Sequence, residues 1–248
     1  MLSRLHLAVD GSGLARPRAG VGVYTREILH AMSVDRPDCR FTVYLPPDAP
    51  SANPAPAIGY RPLPSLPFVG RHIQWPARIR RLRPDAYFGP AGALPLGSVV
   101  CPSVITIHDL AIYLNPGWFP GRQPLSTRLV IPRSLSRADV IVAVSNNTAQ
   151  DLEDLFGVPP ARIDVVPHGV SSRFRPLDGD DLAVARATLK LPERILLFVG
   201  TPEARNNHGT LLHACAQLRA RPDLAPVADR GGGAGRDREQ RRPAAHGG

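Results

Sequence analysis

Six short apolar runs mark the first two thirds of the chain: "LHLAV", "FTVYL", "DAYFGP", "SVITIHD", "DVIVAVS" and "IDVVPHG". Each ends in polar or glycine residues. Runs this short are strand length, and their apolar character on successive residues suits a sheet covered on both faces. Between them lie stretches of helical period. Val21 to Met32, "VGVYTREILHAM", places Val21, Tyr24, Ile28, Leu29 and Met32 on one face. "WPARIRRLRPD" predicts a second helix with Pro76 in its first turn and Pro84 at its end. "NNTAQDLEDLFGV" predicts a third, opened by an Asn or Thr cap and stopped at Gly157. The proline-rich stretch through Pro67 reads as loop with one short strand at most. Strand–helix alternation implies an α/β, doubly wound parallel sheet.

In such a sheet ligands bind beyond the carboxyl ends of the strands. The residues at those ends are therefore the candidates: the glycine-bearing loop after Asp10, His108-Asp109, Ser145, His168-Gly169, and Thr201 to Asn207. After about residue 170 the pattern changes. "VSSRFRPLDGDD" is polar and reads as an interdomain linker. A seventh apolar run, Ile195 to Val199, is read as a strand, followed by the loop "GTPEARNN" and a helix. From about Ala225 the periodicity gives way to Gly, Arg and Pro.

The chain carries a net charge of +9, and all but one of its 30 Lys and Arg residues are arginine. That excess favours anionic partners. Aromatic content of 6% and the lack of a basic helix interleaved with stacking aromatics argue against nucleic acid. No apolar stretch reaches 18 residues and no signal-peptide pattern opens the sequence, so a cytoplasmic protein is the default expectation. Cys39, Cys101 and Cys215 have no CxxC spacing and are expected as buried thiols. The helix bearing Arg78, Arg80, Arg81 and Arg83 reads either as a solvated arginine face or as a contact for anionic lipid at the inner membrane face.

Along the chain, "AGVGVYTREIL", "PDAYFGPAGALPL", "VITIHDLAIYLNPGWFP", "SRADVIVAVSNNTAQDL", "ARIDVVPHGV" and "LLFVGTPEARNN" follow the order found in family-4 retaining glycosyltransferases with the GT-B fold. The resemblance runs from about Leu5 to Leu224, and it looks nearest to bacterial enzymes described as mannosyltransferases. It implies two Rossmann-like domains facing across a cleft. Residues 1–170 would form the acceptor-side domain, 171–194 a linker, and 195–224 the incomplete start of the nucleotide-sugar-binding domain. Residues 225–248 would be a tail, either out of frame or disordered. The family's two glutamates separated by seven residues have no counterpart after Asn207. The implied reaction moves a sugar from a nucleotide donor to a hydroxyl with retention, in polysaccharide, glycolipid or cell-envelope synthesis. The nucleotide sugar is a co-substrate; no cofactor or metal is implied, and the acceptor would be a glycan or a lipid-linked acceptor. The alternative is a remnant or acceptor-binding module without turnover.

The resemblance also assigns roles. His108 would contact the donor sugar, against the plainer reading of a hydrogen-bonded histidine at the sheet edge. Gly20 and Gly22 would let the backbone approach the donor diphosphate, against a tight turn. Arg205 would stabilise the leaving diphosphate, while Asn206 stands where the family motif has a lysine. Asp109 and Ser145 read first as capping residues and second as cleft contacts. His168 and Gly169 are divided between a turn and the cleft.

Overall fold

The computed structural model describes residues 5–15, 20–45, 49, 57–62, 70–119, 126–191, 195–200 and 204–219. The chain separates into two compact units, Met1–Val170 and Ser171–Gly248.

The first unit is built on β1 (His6–Asp10), β2 (Arg40–Leu45), β3 (Ile58–Pro62), β4 (Ala86–Gly89), β5 (Ser103–Ile107), β6 (Val140–Ala143) and β7 (Ile163–Val165). They form one seven-stranded sheet in the order β3-β2-β1-β4-β5-β6-β7, with every neighbouring pair parallel. This is the Rossmann-like, doubly wound arrangement. Strand order reverses between β1 and β4, so the loops after those two strands flank the crevice where such sheets take ligands.

Side chains alternate between the two faces of each strand, and both faces are apolar. Val9, Phe41, Val43 and Phe88 share one cluster, to which α1 (Gly20–Asp35) adds Leu29, Ile28, Tyr24 and Met32. Ala8, Tyr44, Tyr87, Ile105 and Ile141 share the other. There α2 (Trp75–Leu82) adds Trp75 and Ile79, α4 (Ile131–Arg137) adds Leu135, and α5 (Asn146–Phe156) adds Leu152. A single-turn helix, α3 (Ala111–Leu114), follows β5. A wide turn precedes each of α2 and α4: Gly70–Gln74 and Ser126–Val130. The sequence reading passes over α4, whose first turn contains Pro132 and whose period is broken by serines. As expected, α2 has Pro76 in its first turn and ends before Pro84: it stops at Leu82, and Arg83 turns left-handed at φ 48°.

Two local devices fix the ends of elements that carry the site. Gly11 follows β1, where a Cβ would stand 2.6 Å from the Tyr44 carbonyl oxygen, so only glycine fits. Ser145 caps α5, its Oγ accepting from the Thr148 N–H at 3.1 Å, and Gly157 ends that helix at φ 60°. The cap is thus Ser145, one residue before the asparagine pair. Among the cysteines only Cys39 is buried; Cys101 and Cys215 are half-exposed, and all three are free.

The second unit departs from the sequence reading. The stretch taken as linker contains a helix, α6 (Gly179–Thr188), with Asp180 and Asp181 in its first turn and Arg186 in its last. Charges so placed complement the helix dipole, which helps a helix of low amphipathicity to form. Ile195–Val199 does not form a strand; its side chains are exposed, Val199 to 84%. A strand needs a hydrogen-bonding neighbour, and among the described residues of this unit there is none. Ala204–Asn206 makes a single 3-10 turn and α7 (His208–Arg219) follows, as the helix after the loop predicts. Thr201, Glu203 and the 225–248 tail lie outside the described residues.

Candidate functional site at the carboxyl edge of the sheet

Alternation decides what meets α1. In β5, Ile105 and Ile107 point to the α2 cluster, so Thr106 and His108 point to the α1 side. Tyr24 of α1 reaches both: its hydroxyl lies 3.1 Å from Thr106 Oγ1, and its ring stands edge-on to the His108 imidazole, centroids 4.8 Å apart at 84°. His168, beyond β7, completes the cluster. It stacks on His108 at 5.4 Å and 22°, and meets Tyr24 at 5.0 Å. The structure therefore brings His108 and His168 together, with Tyr24 as a third ring that the sequence reading placed only on the helix's apolar face. A hydroxylated residue within that apolar face was the available signal.

His108 is tied to the crevice by its Nε2, 2.8 Å from the carbonyl oxygen of Pro90, the residue after β4. Burial is the main influence on its pKa, lowering it; the Pro90 hydrogen bond and Asp109 oppose that, and His168 adds to it. The ring is thus held neutral near physiological pH. Asp109 is exposed and its Oδ1 accepts from the Ala111 N–H at 3.1 Å, the turn that opens α3. Ser145 is connected to the site indirectly: its Oγ lies 3.0 Å from Thr148 Oγ1, which reaches the His108 carbonyl at 3.4 Å. Gly169 is exposed beside His168.

Gly20 and Gly22 do not precede the helix, as the sequence suggested; they form its first turn. Neither is among the glycines of positive φ, so the tight-turn explanation fails for both. Gly20 is exposed with open space where a Cβ would point, and Gly22 is buried. Gly20 precedes Tyr24 by about one helical turn, ~6 Å along the axis. The N–H groups of that turn have no acceptor within the helix, the kind of place suited to anionic oxygens.

On the α2 face of the sheet, at the end of β1, lies an ion pair that sequence spacing could not show. Asp10, at the end of β1, is fully buried; its Oδ2 receives Arg71 Nη2 at 2.6 Å, and its Oδ1 accepts from the Ser12 N–H at 2.8 Å. The Asp10 carboxylate raises the Arg71 pKa. The adjoining His72 is buried, and its Nδ1 accepts from Leu96 N–H at 3.3 Å. Arg205 and Asn206 lie in the second unit, in the turn before α7, Arg205 exposed and Asn206 half-buried.

The profile of Glycosyltransferase Family 4 matches residues 18–174, more than half of the chain. The chain belongs to glycosyltransferase family 4. The D-inositol 3-phosphate glycosyltransferase of Salinispora arenicola (strain CNS-205) is 38% identical over 133 residues, which is 50% of this chain and 30% of that protein. The protein of the same name from Mycobacterium tuberculosis (strain ATCC 25177 / H37Ra) is 33% identical over 135 residues, 52% of this chain and 28% of that one. The matched stretch thus spans less than a third of these curated relatives. A crystal structure of a glycosyltransferase from Rickettsia africae ESF-5 superposes with a TM-score of 0.51 at 11% identity, covering 88% of this chain and 58% of the other. That likeness supports the fold: a family-4 chain whose first unit is the N-terminal Rossmann-like domain of the GT-B architecture.

Three histidines in this family-4 domain share a pH dependence. Burial is the main cause in each: it lowers the pKa of His6, His72 and His108, with Arg40 and Arg71 reinforcing it for the first two. A folded pKa below the unfolded value of about 6.5 means that the unfolded chain binds protons first as pH falls. Their contribution to stability is complete above pH ~6.5 and is lost as pH falls from there through the folded pKa values. Thermal melts from pH 7.5 to 5.5 should show a falling midpoint. A midpoint that holds or rises over that interval contradicts the assignment.

Proposed function

We propose that this chain acts in transfer of a sugar from a nucleotide donor to a hydroxyl acceptor, with retention of configuration and without a metal. The observation that carries the reading is the neutral His108 at the carboxyl edge of β5, one strand from the crevice and beside the first turn of α1. An acceptor of hydrogen bonds there suits a sugar hydroxyl, and the N–H groups of a helix start, which lack intrahelical acceptors, suit a diphosphate bearing only acceptor oxygens. Family membership supports the reaction class. The relatives' names direct the acceptor search to polyol phosphates as well as to glycans and lipid-linked glycans. Mannose is one donor sugar to be tried among several. The exposed Arg80 and Arg81 on α2, with Arg83 just beyond its end, suit an anionic surface and would bring the protein to the inner face of a membrane.

A second reading, donor binding without turnover, is favoured by Asn206. Loss of a cation that stabilises a leaving group costs on the order of a hundredfold in rate. The test is calorimetry and sugar transfer with a panel of nucleotide sugars and those acceptors. Transfer abolished by His108→Ala supports the first reading. Donor binding without transfer, with transfer appearing in Asn206→Lys, supports the second. Absence of any donor binding overturns both.

A further inference from the structure

His168 belongs to the segment that leaves β7, two strands from β5 in the sheet, a separation of about 10 Å at ordinary strand spacing. The Val166 N–H is held by the Ala143 carbonyl at 2.9 Å, and two residues later the His168 ring lies across the sheet edge on His108. That return has a consequence for the chemistry of His108. Its Nε2 faces the Pro90 carbonyl, which only accepts, so Nε2 carries the proton and the neutral ring keeps its lone pair on Nδ1. His108 is half-buried, and among the described residues its hydrogen bond is the one at Nε2, which leaves Nδ1 on the side of the ring away from Pro90.

A single hydrogen bond at Nε2 leaves the ring free to swing about that bond, which would scatter the direction of Nδ1. The ring contacts remove this freedom. Tyr24 presses edge-on against both imidazoles and is itself fixed through Thr106, while His168 lies nearly parallel to His108. We propose that His168 is a positioning residue: by stacking on His108 it fixes the plane in which the Nδ1 lone pair is offered to a hydroxyl of the bound sugar. This rests on the glycosyltransferase reading above and narrows it. A lone pair at Nδ1 requires a donor, so the group placed there is a hydroxyl and not a phosphate oxygen, and the diphosphate is left to other partners such as the first turn of α1.

His168 is exposed, so its replacement leaves the fold intact. The experiment uses the full chain and two substitutions, His168→Ala and His168→Phe, read by imidazole ¹⁵N–¹H spectra and by transfer kinetics. In the wild type His108 should show the Nε2–H tautomer. In His168→Ala its ring resonances should lose the displacement caused by the stacked ring and broaden as the ring swings, while the Pro90 carbonyl keeps the proton on Nε2; His168→Phe, which keeps a stacked ring, should preserve the wild-type spectrum. In transfer assays His168→Ala should lower kcat on the order of tenfold to a hundredfold, with donor KM within about twofold, and His168→Phe should recover most of it. An Nδ1–H tautomer in the wild type, a His108 spectrum unaffected by His168→Ala, or equal kcat in the two variants overturns the proposal. The spectra require no turnover, so a chain that transfers nothing still decides the positioning claim while the transfer reading alone falls.

Discussion

Trp75→Ala should destabilise the first unit by about 3–5 kcal/mol, the range for emptying a fully buried aromatic site. Trp75 is 0% exposed. It stands edge-on to Tyr44 at 5.1 Å and to Tyr87 at 5.8 Å, rings contributed by β2 and β4 on either side of β1. The indole therefore spans the point where strand order reverses and attaches α2 to it. Each edge-to-face pair adds about 0.5–1.5 kcal/mol beyond area burial, so removal loses packing and geometry together. Its Nε1, however, is buried without a partner among the described residues, and an unsatisfied donor costs about 1–3 kcal/mol. Trp75→Phe keeps a ring for Tyr44 and Tyr87 while deleting that donor, and should cost less than half as much as the alanine change. Urea unfolding followed by circular dichroism measures both. Equal losses for the two variants would show that the orphaned N–H has no energetic weight.

The sheet was legible because its strands announce themselves locally. Each of the six apolar runs in residues 1–170 became a strand, displaced by at most one or two residues, since a run of that length buried on both faces has few other ways to pack. α1 and α5 were legible for the same reason: period, cap and stop all lie within one short stretch. Ile195–Val199 had the same composition as the other runs and did not become a strand, which separates apolar character from pairing; the first is written in the run, the second depends on a neighbour. α6 was hidden because its sequence shows charge at the ends and little apolar period between them.

The site followed the same division. Positions at strand ends, His108 and His168 above all, could be named from local pattern, yet the geometry that gives them meaning is non-local. Tyr24 and Thr106 are separated by 82 residues, and His108 and the Pro90 carbonyl by 18 across a strand pair. The glycines show the converse. Gly20 and Gly22 were selected as loop residues, and the helix absorbed them, because four free N–H groups at a helix start need no preceding turn to be available.

The pairing of Asp10 with Arg71, 61 residues apart, leads to the other large expected effect. Arg71→Ala leaves a carboxylate of zero exposure without its cation, and Asp10→Ala leaves a guanidinium whose side chain is only 26% exposed. Breaking a buried pair by removing one partner costs about 3–5 kcal/mol, because the surviving charge stays desolvated. Removing both deletes that penalty along with the attraction. The Asp10→Ala/Arg71→Ala double variant should therefore be less destabilised than the sum of the singles, with a coupling of about 0.5–3 kcal/mol. Asp10→Ala should exceed Arg71→Ala, since the aspartate also receives the Ser12 N–H and so shapes the turn after β1, at the edge of the crevice. Asp10→Asn separates the two duties: an amide oxygen can still accept from Ser12 while its NH₂ cannot pair with a guanidinium. It should match Arg71→Ala in stability and keep the turn, seen as unchanged amide shifts at Ser12 to Ala15. A double-mutant cycle by chemical denaturation that comes out additive would show that the two side chains do not hold each other, and that the turn at Gly70–Gln74 is fixed to β1 by other contacts.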